Sequence, residues 1–281
     1  MKLEVLDSLS IPGNPEKPND DAFAFIDSAA VVMDGATGLG DQLMPGKSDA
    51  AWLSAFGVRR LMAYAREGAT ARDAVAAALF DAQTSFEALR KRPPAEVWEM
   101  PFASMMLAQC GEASLEFLWY GDCAALIARP GEAIEVIGEA FDKRSAEAAR
   151  VAKIAAYKGV SPAGDINRSE FISSLRRARN MVNSGPHWLF GPDARAADHV
   201  ASKTIAAPSG TLTLLCSDGF LALASDYGAY TAETLVQAAQ SKGLAAMGDE
   251  LRAIERGDPQ GLKHPRFKTS DDATALLLRL D

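Results

Sequence analysis

The sequence predicts an α+β domain built on antiparallel sheets. Apolar runs of strand length stand at 23–33, between 102 and 137, at 211–216 and at 273–280. Helical periodicity fills long stretches between them without the strict alternation of a βαβ repeat. The first and last of these strands both carry acidic motifs, so they are expected to be neighbours in space. The chain has 281 residues, of which 48% are hydrophobic. That is enough core for one large domain, taken as 1–281 with an irregular flap or insert at about 139–198.

Residues 23–25 and 29–33 read as two strands joined by Ile26-Asp27-Ser28. Ser48-Asp49 then offers an N-cap, and Ala51, Leu53, Ala55, Phe56, Val58, Leu61, Met62 and Tyr64 follow at near-helical spacing until Gly68. Thr70 caps a second helix through Ala74, Val75, Leu79, Phe86 and Leu89, which Pro93-Pro94 stops. The pattern changes to short strands at 104–109, 115–120, 124–128 and 133–137. Cys110-Gly111-Glu112-Ala113-Ser114 and Arg129-Pro130-Gly131-Glu132 are hairpin connectors, and the whole reads as one antiparallel meander. The stretch 139–198 holds two charged helical patterns, at 146–157 and 169–182, broken up by Gly159, Pro162, Gly164, Gly185, Pro186, Gly191 and Pro192. Strand returns at 211–216. A helical pattern with breaks at Gly243 and Gly248 covers 231–256, and 273–280 closes as a strand.

Composition excludes several functions. The formal net charge is -8 and no Lys/Arg run gathers on one segment, which argues against a nucleic-acid surface or attachment to anionic lipid. No segment approaches the ~18 to 20 apolar residues of a membrane helix. Cys110, Cys123 and Cys216 show no paired spacing and lie in apolar runs, and the start lacks a basic flank followed by an apolar stretch. Reduced, buried thiols in a cytoplasmic, monomeric protein are therefore expected. His187, His199 and His264 are scattered and form neither a zinc pattern nor a catalytic triad.

What stands out is where the carboxylates fall. Asn19-Asp20-Asp21, Met33-Asp34-Gly35, Ser217-Asp218-Gly219 and Ser270-Asp271-Asp272 each sit at the edge of an apolar strand. Carboxylates at strand ends beside glycine turns mark places where the sheet stops and a ligand can begin. Clustered Asp is tolerable when a cation compensates it, and hard divalent cations take oxygen ligands from Asp and backbone carbonyls.

Taken in order, NDDAF (19–23), VVMDGATG (31–38), PFASMMLAQ (101–109), LEFLWYGDCAALI (115–127), TLTLLCSDGF (211–220) and SDDATALLL (270–278) resemble the serial motifs of the protein phosphatase 2C family, the metal-dependent Ser/Thr phosphatases. The resemblance implies a central sandwich of two antiparallel β-sheets flanked by pairs of helices, a four-layer αββα arrangement. It also implies a centre of two Mn2+ or Mg2+ ions. Asp34 would bridge both ions and the Gly35 carbonyl would bind one. Asp218 and Asp271, rather than Asp272, would complete one shell. Asp21 would reach the metals, Asp20 stands where the family has Glu or Gln, and Asp122 falls where some members hold a third ion together with the Asp218 position. Asp34 and Asp21 would be the catalytic pair, because a water activated between two cations needs no Cys or Ser nucleophile.

Two departures follow. Glu16 stands where many members carry a phosphate-gripping Arg, which leaves Lys17 as the nearest cation for that task. Ala36-Thr37 stands where His or Met often follows the Asp-Gly pair, so the general-acid role is vacant. The activity implied is hydrolysis of phosphoserine or phosphothreonine in a phosphorylated protein substrate. A weakly active phosphoprotein-binding member, or a hydrolase of small phosphate esters with 139–198 as its specificity segment, are the alternatives.

Overall fold

The computed structural model describes residues 1–138, 140–165 and 169–281. Glu139 and 166–168, which belong to the expected insert, lie outside the described residues. Ten strands among the described residues form two five-stranded antiparallel sheets. The first contains β1 (Leu3–Ile11), β6 (Ala124–Ala128), β7 (Glu135–Ile137), β9 (Leu212–Cys216) and β10 (Ala273–Leu280), in the order β1-β10-β9-β6-β7. The second contains β2 (Asp21–Ile26), β3 (Ala29–Gly35), β4 (Ala103–Cys110), β5 (Ser114–Tyr120) and β8 (Ala201–Ala206), in chain order.

Strand alternation builds the layers, because successive side chains point to opposite faces. Val32, Met106, Phe117, Ile127, Leu215, Leu276 and Leu278 point inward and make the core between the sheets. Val31, Met33, Met105, Leu107 and Leu118 point the other way, onto Leu53, Leu61, Val75 and Leu79 of α1 (Asp49–Arg66) and α2 (Ala71–Leu89). On the opposite side Leu126, Leu214, Cys216 and Leu277 meet Phe220, Leu235, Met247 and Leu251. These come from α5 (Asp218–Ser225), α6 (Ala232–Lys242) and α7 (Leu244–Gly257), after α3 (Ala140–Lys158) and α4 (Ser169–Arg179) have run their course. The result is the expected αββα sandwich, with α5, α6 and α7 among the described helices on its second side.

Both predicted caps are present. The Ser48 hydroxyl accepts from the Ala51 amide at 3.2 Å, and the Thr70 hydroxyl from the Asp73 amide at 3.2 Å. Three expectations are corrected. The meander is split: β4 and β5 pair in one sheet, β6 and β7 in the other, and the chain crosses between them at Gly121-Asp122. Gly121 has a φ of +70°, which suits glycine. Gly248 does not break a helix; it lies inside α7, where a Cβ would come 3.0 Å from a Leu9 methyl. It is small because α7 lies close against β1. Finally, β1 and β8 are strands that the sequence reading passed over. β1 pairs with β10 along its length, and β8 is a mostly exposed edge strand on β5.

No helix among the described residues is long and apolar enough to cross a membrane.

Candidate metal centre

One end of the sandwich collects the acidic strand ends. Asp34 closes β3 and is directly opposed by Asp21, which opens β2, on one side and by Ser104 of β4 on the other. Asp122 sits in the crossing between the sheets, Asp218 opens α5 and Asp271-Asp272 lead into β10. Glycine permits the last approach: a Cβ on Gly219 would lie 1.9 Å from the Asp272 carbonyl oxygen.

Carboxylate oxygens of Asp34, Asp122 and Asp218 lie within 4.8 Å of one another. The Ser104 hydroxyl donates to Asp122 Oδ1 at 2.6 Å and so orients that carboxylate. Asp21 is 7% exposed, and neither of its carboxylate oxygens has a hydrogen-bond partner among the described residues. Burial pushes the Asp21 carboxyl well above its ordinary pKa, with the charges of Asp272, Asp271 and Asp218 adding to it. The Ser217 hydroxyl works in the opposite direction. Asp34 is raised in the same way, first by burial, then by Asp218, Asp21, Asp271 and Asp122. A buried, unpartnered carboxylate facing like charges is expensive. An all-oxygen donor set of this kind fits a hard divalent cation.

The other predicted site residues are engaged differently. The Asp20 carboxylate accepts from the Ser48 hydroxyl at 2.5 Å and from Thr37 at 3.3 Å, so it ties the start of α1 to the loop after Gly35. The Gly35 amide donates to the Asp20 carbonyl at 3.1 Å. Asp272 accepts from the Gly13 amide at 2.7 Å and the Asp20 amide at 2.6 Å, which fastens two loops. Asp271 lies outside the close trio, and its Oδ1 accepts from Lys268 Nζ at 2.5 Å. Burial works against the Lys268 charge, but Asp271 and Asp34 outweigh it and hold the ammonium above the usual lysine range.

A cleft of about 710 Å3 adjoins this end, lined by Lys17, Asp20, Lys47, Lys268, Asp271 and Asp272 among others. Glu16 does not line it. Lys17 does, but its side chain is 61% exposed and its ammonium is 3.8 Å from Asp165. Lys17→Ala is therefore expected to raise a Michaelis constant for a phosphate ester by less than about threefold, the scale of an exposed charge pair; a tenfold rise in steady-state kinetics would refute that. The rim is stiffened by α4. Arg179 donates to the Thr37 carbonyl at 2.7 Å, and Arg176 donates to the Leu39 carbonyl at 2.6 Å while stacking 4.0 Å over Trp98.

Sequence reasoning missed Lys268, the orienting contact from Ser104 to Asp122 and the bracket made by Asp272. The cue for Lys268 was its place three residues before an acidic pair, the spacing of a local ion pair.

No protein-family profile and no curated protein matches the sequence. Solved structures do match. The serine/threonine phosphatase PstP/Ppp of Mycobacterium tuberculosis is 15% identical, with all of both chains covered and a TM-score of 0.59. PppA of Pseudomonas aeruginosa, described as a key regulatory component of T6SS, is 19% identical, with 99% of this chain and 98% of that one covered and a TM-score of 0.57. The serine/threonine phosphatase of S. agalactiae is 13% identical over 99% of this chain and 100% of that one, with a TM-score of 0.57. From end to end, this chain has the fold of the bacterial serine/threonine phosphatases.

Proposed function

We propose that this chain is a metal-dependent phosphomonoester hydrolase of the protein phosphatase 2C type, acting on phosphoserine or phosphothreonine in proteins. The observation that carries the proposal is Asp21: a buried carboxylate with no hydrogen-bond partner among the described residues, paired in register with Asp34 beside Asp122 and Asp218. A fold can preserve an acidic cluster on its surface at little cost, whereas a buried and unpaired one destabilises the chain unless something binds there.

In this reading Asp34, Asp218 and Asp271 would hold one divalent cation, Asp34 with the Gly35 carbonyl and Asp21 would serve a second, and Asp122 beside Asp218 could take a third. Two ions agree with a phosphatase of this fold, the PstP catalytic domain, solved in complex with two manganese ions (TM-score 0.54, 15% identity, 99% and 98% of the two chains covered). When bound, such ions lower the pKa of a water and offset charge on phosphoryl oxygens. The protein's own groups set the geometry. Ser104 orients Asp122, Asp20 holds the Thr37 loop, and Asp272 keeps the strand ends in register. Cys123 and Cys216 are buried in the core, where burial raises their thiols far above the usual range, so neither is offered as a nucleophile.

The cleft is rimmed by Trp98, Glu99 and Met100, which offer contacts to the peptide around a phosphorylated residue and favour a protein substrate over a small ester. Phosphate release from a panel of phosphoserine and phosphothreonine peptides is expected with Mn2+ and is expected to disappear with chelator, with p-nitrophenyl phosphate turned over less efficiently. Release that survives chelation, or none from any peptide in Mn2+, would count against the assignment.

A further inference from the structure

Lys268 lies in the segment between α7 and β10 and lines the cleft with its ammonium toward the acidic end. Its side chain is 24% exposed, and Nζ donates to Asp271 Oδ1 at 2.5 Å. The segment is braced. Arg266 donates to Asp258 Oδ2 at 3.1 Å and to the His264 carbonyl at 2.9 Å, and Phe267 packs edge-on against Phe171 of α4 with ring centroids 5.4 Å apart. The Lys268 backbone itself bridges to Gly164. Stability alone does not call for this support, because a partly exposed i,i+3 ion pair contributes little.

The other cations nearby are placed differently. Of the described cations that line the cleft, Lys17 is 61% exposed and 3.8 Å from Asp165, and Lys47 is exposed. Arg179 and Arg176 direct donors to the Thr37 and Leu39 carbonyls and do not line the cleft. Lys268 remains, half-buried beside the carboxylates. Asp271 Oδ1 accepts from Lys268 and from the Asp272 amide at 2.9 Å, whereas its Oδ2 accepts no hydrogen bond among the described residues. An ion ligated through Oδ2 would stand one carboxylate away from the ammonium. Two cations at such range repel, and a phosphate dianion lying against both relieves that repulsion.

Taking the proposed hydrolase as its premise, we propose that Lys268 grips the substrate phosphate, a task left vacant at Glu16. It favours a dianionic phosphomonoester over a singly charged diester, which offsets less of the facing positive charge. The test is a calorimetric titration of the Mn2+-loaded full chain with inorganic phosphate, with Lys268→Met and Lys268→Arg alongside. Lys268→Met removes the charge and keeps the apolar stem. It should weaken phosphate binding roughly ten- to a hundredfold, the scale of a hydrogen bond to a charged group. It should also raise the Michaelis constant for a phosphopeptide by a larger factor than it lowers kcat, while Mn2+ affinity stays unchanged or tightens. Lys268→Arg, which keeps the charge, should bind phosphate closer to the wild type than Lys268→Met does. Undiminished phosphate binding by Lys268→Met overturns the inference and leaves the hydrolase standing. So does a fall in its Mn2+ affinity, which would mean that Lys268 acts by orienting Asp271. A wild type that takes up no Mn2+ overturns the hydrolase and the inference together.

Discussion

Asp34→Asn is expected to make the metal-free chain more stable and to abolish its response to metal. The Asp34 carboxyl is raised by burial and by four neighbouring carboxylates, so its charged form costs the folded state. One unit of such a shift is worth about 1.4 kcal/mol, and relief on the order of 1 to 3 kcal/mol is expected near neutral pH. The sign fixes the pH window. A carboxylate whose pKa is raised on folding is protonated in both states below its unfolded pKa and costs nothing there. The cost grows as pH rises from that value and is complete above the folded pKa. The stability advantage of Asp34→Asn in chelator should therefore vanish near pH 4 and grow toward neutrality. Excess Mn2+ should reverse the order, since a ligand that binds only the native state stabilises the wild type by mass action. Turnover of a phosphopeptide should fall by roughly 10^2 to 10^3 or more. Thermal denaturation with and without Mn2+ checks the first part; an undiminished Mn2+ shift in the variant would show that Asp34 does not bind the ion.

Gly219→Ala should be strongly damaging. The added carbon would stand 1.9 Å from the Asp272 carbonyl oxygen, a backbone atom that cannot swing aside as a side chain would. Either α5 shifts, carrying Asp218 with it, or the β10 entry shifts, carrying Asp271. The expected cost is about 3 kcal/mol, the upper end for overpacking, which lowers the melting temperature by roughly 6 to 12 °C at this size. Metal affinity should fall with it, because both shifts move a carboxylate. Gly185→Ala is the control, with nothing within 4 Å of the added carbon, and its melting curve should overlay the wild type. A Gly219→Ala protein with wild-type melting would mean that the two strand ends do not approach as described.

Much of this end of the molecule was legible in the sequence because it is local. Asp34-Gly35 and Asp218-Gly219 terminate apolar runs, and the Ser48 and Thr70 caps announce α1 and α2. The split of the expected meander was not legible, since Gly121-Asp122 looks the same whether the chain turns back on its own sheet or crosses to the other. β8 escaped notice because most of it is exposed and only Ile205 is buried within it. β1 was missed because its pattern of buried and half-exposed positions takes its meaning from β10, some 270 residues later. Likewise the motif order brought Asp21, Asp34, Asp122 and Asp218 to one place, but the protein partners of the neighbouring carboxylates were not legible. Asp20 goes to Ser48 and Thr37, and Asp271 goes to Lys268.

The most direct measurement is anomalous diffraction at the manganese edge from Mn2+-soaked crystals. An ion held by Asp34, Asp218 and Asp271 would give a peak about 2.0 to 2.6 Å from an oxygen of each, with a second peak beside Asp34 and the Gly35 carbonyl. Saturating Mn2+ that leaves these carboxylates without a peak, or places it on unrelated surface acids, would contradict the metal centre and the hydrolase proposed from it.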